Sequence, residues 1–232
     1  MTDRFVDKLT AAVELNKSLL CVGLDPDLSF MPLDDVFDFN RAIIDATKSS
    51  VCAYKPNLAF YEALGIPGLQ ALQQTVEYIR QRASGVLIIG DAKRGDVGNT
   101  AEAHARALFE TWGFDAATVN PFGGGDTLQP FLDYRDRGVF VWCRSSNPGA
   151  GEFQDLVLAG DGGAERLYEI IARRASEWNT GGNVGLVVGA TYPRELNQLR
   201  DLCPGMPILI PGIGAQEGAL EDSVRGGIDG QV

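Results

Sequence analysis

The sequence is poor in the residues that several functional classes require. Its 232 residues contain one histidine and four cysteines, and the cysteines lie far apart without a CxxC pair: Cys21, Cys52, Cys143 and Cys203. This spacing argues against a zinc framework and indicates reduced, mostly buried thiols, not disulfides. The single histidine also argues against a Ser-His-Asp hydrolase, which needs an oriented histidine base.

Basic charge and long apolar runs are scarce as well. The chain carries 20 Lys and Arg against 31 Asp and Glu, which gives a net charge of −11. General binders of nucleic acid or of anionic membranes need a basic face, so neither partner is expected. No apolar run approaches the ~18 residues that indicate a membrane span. The charged start, Met1–Phe5, lacks the apolar run of a signal peptide, and the sequence predicts a cytoplasmic protein.

What the chain does contain is an alternation of short apolar runs with longer amphipathic stretches. The apolar runs predict strands buried on both faces, at residues 19–24, 51–54, 86–90, 116–119, 139–143, 184–188 and 208–210. The amphipathic stretches predict helices at 34–49, 69–83, 100–112, 163–178, 193–202 and 215–224. Such alternation favours parallel strands that are joined by right-handed crossovers.

The number of strand–helix units favours a TIM (β/α)8 barrel over a doubly wound sheet. No GxGxxG motif follows the first strand, which weakens the dinucleotide-binding alternative. The chain stops at Val232, where an eighth strand should begin. We therefore expect the eighth strand to be cut off at this C-terminus, since a seven-stranded barrel would leave two unpaired edges. No linker interrupts residues 1–232, which predicts a single domain.

Charged residues follow the predicted strands at the end where barrel enzymes hold their sites. Asp91 and Lys93 are two residues apart on one strand, which gives their side chains a shared face. Asp96 lies just beyond them, and Lys55 ends the preceding strand. We expect these carboxylates and ammonium groups to alternate in a small, partly dry volume.

Such an arrangement suits the expulsion of a carboxylate. At an effective dielectric of about 20, unit charges about 4 Å apart interact by roughly 4 kcal/mol. A substrate carboxylate beside Asp91 would be repelled on that scale, and its departure as CO2 would relieve the repulsion. Lys93, whose charged form is favoured by anionic neighbours, would protonate the carbanion left behind. A structural network of ion pairs that caps the strands is the alternative.

The segment Asp91-Ala-Lys-Arg-Gly-Asp96 resembles the DxKxxD signature of the orotidine 5'-phosphate decarboxylase family. Other strand ends are similar to that family in colinear order: Gly23–Asp27, Lys55–Asn57, Ser145–Ala150, Val188–Thr191 and Pro211–Gln216. The similarity is to the longer bacterial branch. It implies a dimeric TIM-barrel lyase that converts orotidine 5'-monophosphate to uridine 5'-monophosphate and CO2, the last step of de novo pyrimidine synthesis. It also implies no metal and no cofactor.

The same resemblance assigns roles to individual residues. Lys93 would donate a proton to C6 of the pyrimidine, and Asp91 would lie against the leaving carboxylate. Lys55 would orient Asp91 and touch the ribose. Asp25 would bind a ribose hydroxyl, and Ser146 would hydrogen-bond the amide edge of the pyrimidine.

Further implied roles involve the partner subunit and the substrate phosphate. Asp96 and Thr100 would reach into the partner's site, so that a homodimer shares its active sites. Gln216 and the backbone N–H groups of Gly214 and Ala215 would hold the phosphate, which suits a glycine-rich turn that opens a helix. The family's phosphate-binding arginine follows the eighth strand and would lie beyond Val232.

Some polar and aromatic residues have simpler interpretations. The only histidine, His104, is predicted on the surface or interface side of a helix. The segment Gly123–Asp126 predicts a loop in which Asp126 caps the next helix. Asn120 at a strand end is either catalytic or a turn-former. Three tryptophans are predicted in the core: Trp112, Trp142 and Trp178.

Two other functions stay open at this point. One is a metal-dependent barrel enzyme that acts on sugar phosphates, such as a keto-gulonate-phosphate decarboxylase or a hexulose-phosphate synthase. That chemistry needs an acidic residue where Lys55 stands, to help hold Mg²⁺. The other is a non-enzymatic barrel that binds a phosphate ligand.

Overall fold

The strands form one parallel sheet and one short hairpin. The computed structural model describes residues 4–160, 163–213 and 220–228. The strands within those residues are β1 (Cys21–Leu24), β2 (Ala53–Pro56), β3 (Leu87–Arg94), β4 (Ala116–Val119), β5 (Gly138–Arg144), β6 (Val157–Gly160), β7 (Gly163–Arg166), β8 (Val184–Val188) and β9 (Ile208–Leu209). Seven of them pair in parallel, in the order β1-β2-β3-β4-β5-β8-β9. β6 and β7 form a separate antiparallel hairpin.

Helices connect the strands of the parallel sheet. They are α1 (Phe5–Asn16), α2 (Val36–Thr47), α3 (Leu58–Ala63), α4 (Gly65–Arg82), α5 (Gly98–Arg106), α6 (Gly125–Leu132), α7 (Gly151–Gln154), α8 (Leu167–Trp178), α9 (Pro193–Leu202) and α10 (Leu220–Gly227). A π-helical turn, Ala107–Thr111, continues α5. Successive strands of this sheet lie side by side with helices between them, and the β6–β7 hairpin is inserted between β5 and β8, which agrees with the predicted TIM-barrel architecture. Within the described residues the edge strands β1 and β9 do not pair with each other. No helix in the described ranges is both long and apolar enough to cross a membrane.

Two apolar clusters bury the two faces of the sheet. The larger cluster packs strand residues such as Ile88 and Val141 against the outer helices. The smaller cluster fills the barrel interior and includes Ile89 and Phe140. Neighbouring strand residues thus point to opposite faces, and both faces are apolar, which explains the continuous apolar runs.

Helix α1 closes the end of the barrel where the strands begin. The ring of Phe5 meets the ring of Phe140 edge-on, with centroids 6.0 Å apart. Gly138, the first residue of β5, leaves room for this ring, because a Cβ there would lie 2.4 Å from Phe5. With that end filled, the open mouth of the barrel is at the carboxyl ends of the strands.

The structure corrects several predicted elements. The predicted helix 163–178 is wrong over its first four residues, Gly163–Arg166, which pair with β6 as β7. Helix α8 starts only at Leu167, where the Glu169 side chain accepts a hydrogen bond from the backbone N–H of Arg166. Asp126 is not a cap: Gly124 occupies the N-cap of α6, and Asp126 lies in its first turn. Residues 214–219 and 229–232 lie outside the described residues, and so does most of the turn and helix start predicted around residue 215.

Candidate active site

The carboxylate of Asp91 is the centre of a cluster of charges at the barrel mouth. The Lys55 ammonium lies 3.1 Å from Asp91 Oδ2, and the Lys93 ammonium lies 2.6 Å from Asp91 Oδ1. The hydroxyl of Thr118 donates a third hydrogen bond, of 2.8 Å, to Oδ1. The side chains of Asp91 and Lys55 are only 10% and 12% exposed, whereas that of Lys93 is 36% exposed. Lys93 is therefore the member of the cluster that a ligand in the mouth meets most readily.

The sheet register brings these side chains together. β2 ends beside both of its neighbours, since Lys55 pairs with Gly23 of β1 and Asn57 bridges to Asp91 of β3. Parallel strands of similar length end at the same edge of the sheet, so charges at their ends converge. As the sequence leads one to expect, Lys55 lies beside Asp91, whose other oxygen contacts Lys93.

The backbone at Lys93 has a left-handed conformation, with φ of 46°. The pairing of β3 with β4 shifts register between Gly90 and Arg94, around this residue. A non-glycine residue in this region costs about 1–3 kcal/mol, and such strain concentrates at functional sites. The Thr118 hydroxyl oxygen accepts hydrogen bonds from the backbone N–H groups of Ala92 and Lys93, both at 3.0 Å, which stabilises the turn.

The neighbouring charges keep the inner pair ionised. Burial alone would raise the pKa of Asp91, but Lys55, Lys93 and the Thr118 hydroxyl together hold that pKa below its usual value. Burial alone would lower the pKa of Lys55, but attraction to Asp91 and Asp25 raises that pKa above its usual value. The inner part of the site is thus an ion pair at neutral pH.

Asp25 lies at the same mouth, after β1, and its side chain opens to solvent. The surrounding protein nevertheless removes part of its hydration, which raises its pKa, and repulsion from Asp91 acts in the same direction. Lys55 and Lys93 act in the opposite direction. Asp25 therefore belongs electrostatically to the cluster, where the sequence pattern predicts Asp96 as the second carboxylate.

Other predicted site residues lie farther along the chain, or outside the described residues. Ser146 is half-buried in the loop after β5, and its carbonyl accepts a hydrogen bond of 3.0 Å from Thr191. Asp96 and Thr100 are exposed, and neither forms a hydrogen bond or ion pair with the cluster in the part of the chain that is described. The expectation that Asp96 alternates with Asp91 and the lysines is therefore wrong within this chain, because the segment after Lys93 carries Asp96 out to the surface. The three predicted phosphate contacts lie outside the described residues: Gly214, Ala215 and Gln216.

The structure also shows where the other polar and aromatic residues singled out in the sequence lie. Asn120 is a turn-former, because its side chain caps a short 3-10 turn by accepting a hydrogen bond of 3.0 Å from Phe122 N–H. His104 is half-buried on α5. Trp112 and Trp178 pack against the outer core but are only partly buried.

Three residues of the site were not predicted from the sequence. The sequence held one clue to Thr118, because its side chain carries the only hydroxyl in the apolar run 116–119. Trp142, predicted in the core, is instead half-buried with its ring centroid 6.0 Å from the Lys93 ammonium. Arg144, at the end of β5, is fully buried beside the Ser146 loop. A charged residue directly after the apolar run 139–143 was its only signal.

The donor set does not suit a divalent cation. Both oxygens of Asp91 are already paired with ammonium groups, from Lys55 and Lys93. A cation at this position would meet two positive charges. No group of three or more His, Cys, Asp or Glu side chains with metal-binding geometry occurs within residues 4–160, 163–213 and 220–228.

Known proteins that are similar to this chain belong to one family. The sequence profile of the family described as "Orotidine 5'-phosphate decarboxylase / HUMPS family" matches residues 18–232. The orotidine 5'-phosphate decarboxylase of Thermomicrobium roseum is 52% identical over 231 residues, which cover 97% of this chain and 80% of the relative. That of Dehalococcoides mccartyi is 49% identical over 225 residues, covering 97% of this chain and 82% of the relative.

Solved structures give the same result. The OMP decarboxylase of Leishmania donovani matches with a TM-score of 0.85 at 38% identity, covering 97% of this chain and 85% of its own. The UMP synthase of the same organism matches with a TM-score of 0.87 at 40% identity, covering 98% of this chain and 49% of its own. From the profile match and these relatives, the chain belongs to the orotidine 5'-phosphate decarboxylase / HUMPS family.

Proposed function

We propose that this protein decarboxylates orotidine 5'-monophosphate to uridine 5'-monophosphate and CO2, the last step of pyrimidine synthesis, without a metal or cofactor. The observation that carries this proposal is the Lys55–Asp91–Lys93 array, in which one ionised carboxylate lies between two ammonium groups. Membership in the family, and relatives named orotidine 5'-phosphate decarboxylase, support the choice of substrate.

In the proposed reaction the substrate carboxylate lies against Asp91. Two carboxylates about 4 Å apart repel each other by roughly 4 kcal/mol at an effective dielectric of about 20, and loss of CO2 removes this repulsion. The bond between C6 and the carboxylate carbon breaks, and its electron pair stays on C6. Lys93 stabilises that charge and transfers a proton from its ammonium group to C6. The greater exposure of Lys93 than of Lys55 supports this division of roles.

The remainder of the nucleotide is held by residues around the mouth. Lys55 keeps Asp91 in place and contacts the ribose, and Asp25 binds a ribose hydroxyl. Ser146 binds the amide edge of the pyrimidine. Its Oγ has no hydrogen-bond partner among the described residues and is free to make this contact. We assign the phosphate to Gly214, Ala215 and Gln216 from the family motif alone.

We further propose a homodimer in which Asp96 and Thr100 complete the partner's site. Both side chains are exposed on the segment that follows Lys93, and neighbouring Val97 is 64% exposed. The proposed unit is a single domain, and its free cysteines and acidic charge suit the cytoplasm and argue against nucleic acid as a partner.

The test is an ultraviolet assay for the loss of orotidine 5'-monophosphate by purified protein, with and without EDTA. We expect the same turnover in both, together with release of CO2 from carboxyl-labelled substrate. Turnover that EDTA abolishes and Mg²⁺ restores would contradict the metal-free mechanism. Binding of uridine 5'-monophosphate without any turnover of the substrate would instead identify a barrel that only binds a phosphate ligand.

A further inference from the structure

Arg144 is an arginine that lies fully inside the protein at the end of β5. The residue is 1% exposed. Its guanidinium group lies between two tyrosine rings, 5.6 Å from the centroid of Tyr168 and 3.9 Å from that of Tyr192. It donates hydrogen bonds of 3.1 Å to Gln154 Oε1 and 3.2 Å to Asp155 Oδ2. A buried charge is costly unless it is paired, so these contacts hold the guanidinium in one position.

The first connection from Arg144 to the pyrimidine-binding loop runs through Gln154. The same Oε1 atom that accepts from Arg144 also accepts a hydrogen bond of 2.9 Å from the backbone N–H of Ser145. Arg144 therefore fixes the side chain that holds the backbone on the N-terminal side of Ser146.

The second connection runs through Tyr192, which follows β8. The Tyr192 ring packs on the guanidinium, and its hydroxyl donates a hydrogen bond of 3.2 Å to the carbonyl of Asn147. Arg144 thus also stabilises a contact on the C-terminal side of Ser146. The backbone of Gly189 packs closely against Ser146, since a Cβ at position 189 would lie 2.7 Å from Ser146 Cα.

We infer that Arg144 is a positioning residue that sets the place of Ser146 in the site by holding both neighbours of Ser146. The inference rests on the proposed function, in which Ser146 binds the pyrimidine. Arg144 itself does not touch the substrate, because it is buried behind the loop. Its contribution to catalysis should therefore pass through Ser146 and disappear when the Ser146 hydroxyl is removed.

The alternative is that Arg144 only contributes to stability. Arg144→Met keeps much of the side-chain volume but removes the donors. Arg144→Lys keeps a charge for Asp155 but lacks the planar fork that reaches two acceptors. Arg166→Met is the matched control, because Arg166 also lies near Asp155, at 3.8 Å, but is about half exposed and, in the described part of the chain, forms no hydrogen bond or ion pair with residues 145–147.

The experiment is a double-mutant cycle on kcat/KM for orotidine 5'-monophosphate, with Arg144→Met, Ser146→Ala and the double variant. Hydrogen bonds to charged groups correspond to roughly a tenfold to hundredfold effect, and we expect a loss of that size for Arg144→Met. The kcat/KM of the double variant should be no lower than that of the less active single variant, because both changes remove the same contact. Arg166→Met should stay within about twofold of wild type.

Hydrogen exchange gives a second readout that does not need activity. Backbone amides of residues 145–154 should exchange faster in Arg144→Met and in Gln154→Met, but not in Arg166→Met. Gln154→Met covers the case in which Arg144→Met fails to fold, since Gln154 is only partly buried.

The outcomes separate the two proposals. Fully additive losses in kcat/KM, or unchanged exchange of residues 145–154, would overturn the positioning role and leave Arg144 as a stabilising residue. Wild-type protein that does not turn over orotidine 5'-monophosphate would instead refute the proposed function. In that case hydrogen exchange alone decides whether Arg144 fixes the loop.

Discussion

Thr118→Val should damage the site although it changes no charge. Valine has nearly the same shape as threonine, so the variant removes a hydroxyl and little else. That hydroxyl donates to Asp91 and accepts from the N–H groups of Ala92 and Lys93. The residue is 1% exposed, so water cannot replace these contacts easily. The change therefore leaves two backbone donors and one carboxylate oxygen short of a partner.

The size of the effect follows from those contacts. A buried donor without a partner costs about 1–3 kcal/mol, and because both N–H groups share one acceptor we expect about 2–4 kcal/mol in total. The strained turn at Lys93 is the part of the chain that can relax, which would move the ammonium group away from Asp91. A misplacement of about 1 Å can lower turnover by about a hundredfold, and we expect kcat to fall on that scale.

Urea denaturation and steady-state kinetics measure the two effects separately. The matched control is Thr118→Ser, which keeps the hydroxyl and loses one methyl group, at a cost of about 1 kcal/mol. Thr118→Ser should keep kcat within a few-fold of wild type. If Thr118→Val keeps kcat within about threefold and loses no more stability than Thr118→Ser, the hydroxyl does not support the Lys93 turn and the reasoning is wrong.

Three other changes test single links in the proposed mechanism. Lys93→Ala should abolish decarboxylation and leave the circular dichroism spectrum of a folded protein, and turnover within tenfold of wild type would exclude Lys93 as the proton donor. Inactive Lys93→Ala and Asp96→Ala proteins should regain activity when their subunits are exchanged, because one mixed site then carries neither mutation; demonstrated exchange without recovery would argue against a shared site. Asp25→Asn should raise the free energy of unfolding at pH 7 while lowering activity. Because the pKa of Asp25 is raised in the folded state, wild type loses stability as pH rises from the unfolded value of about 3.9 towards the folded one. The advantage of Asp25→Asn in urea denaturation should therefore shrink at pH 3, and an equal advantage at both pH values would contradict the assignment.

The fold could be predicted where burial on two faces dictates the sequence pattern. The predicted strands 116–119 and 184–188 have the same bounds in the structure, since both runs lie between polar or glycine-rich segments. Helix α9 likewise begins at the predicted Pro193, because proline is favoured in the first turn. The β6–β7 hairpin was missed, although residues 156–159 form a short apolar run like those of the buried strands. In the structure this run is exposed, and its partner β7 carries no apolar run of its own.

The site could be predicted only in part, for a related reason. The spacing of Asp91 and Lys93 on one strand was enough to place their side chains together. The left-handed turn at Lys93 depends on Thr118, a residue of the neighbouring strand, and on a register shift between the two strands. The role of Arg144 likewise depends on contacts with the loop after β5 and with Tyr192. Contacts between elements distant in sequence leave no local pattern to read.

In the proposed mechanism, the charges of the cluster also explain why the site binds an anionic substrate and then releases part of it as CO2. Lys55 and Lys93 carry two positive charges, and ionised Asp91 and Asp25 carry two negative charges. The empty cluster is therefore balanced, which limits the cost of burying it. A substrate carboxylate adds one unpaired negative charge beside Asp91, whose pKa is held low by the lysines, so protonation of Asp91 offers no easy relief. Departure of neutral CO2 would remove the added charge, and the ammonium of Lys93 would then donate the proton that the carbanion needs. The same pairing that stabilises the empty protein thus makes decarboxylation the favourable way to restore the balance.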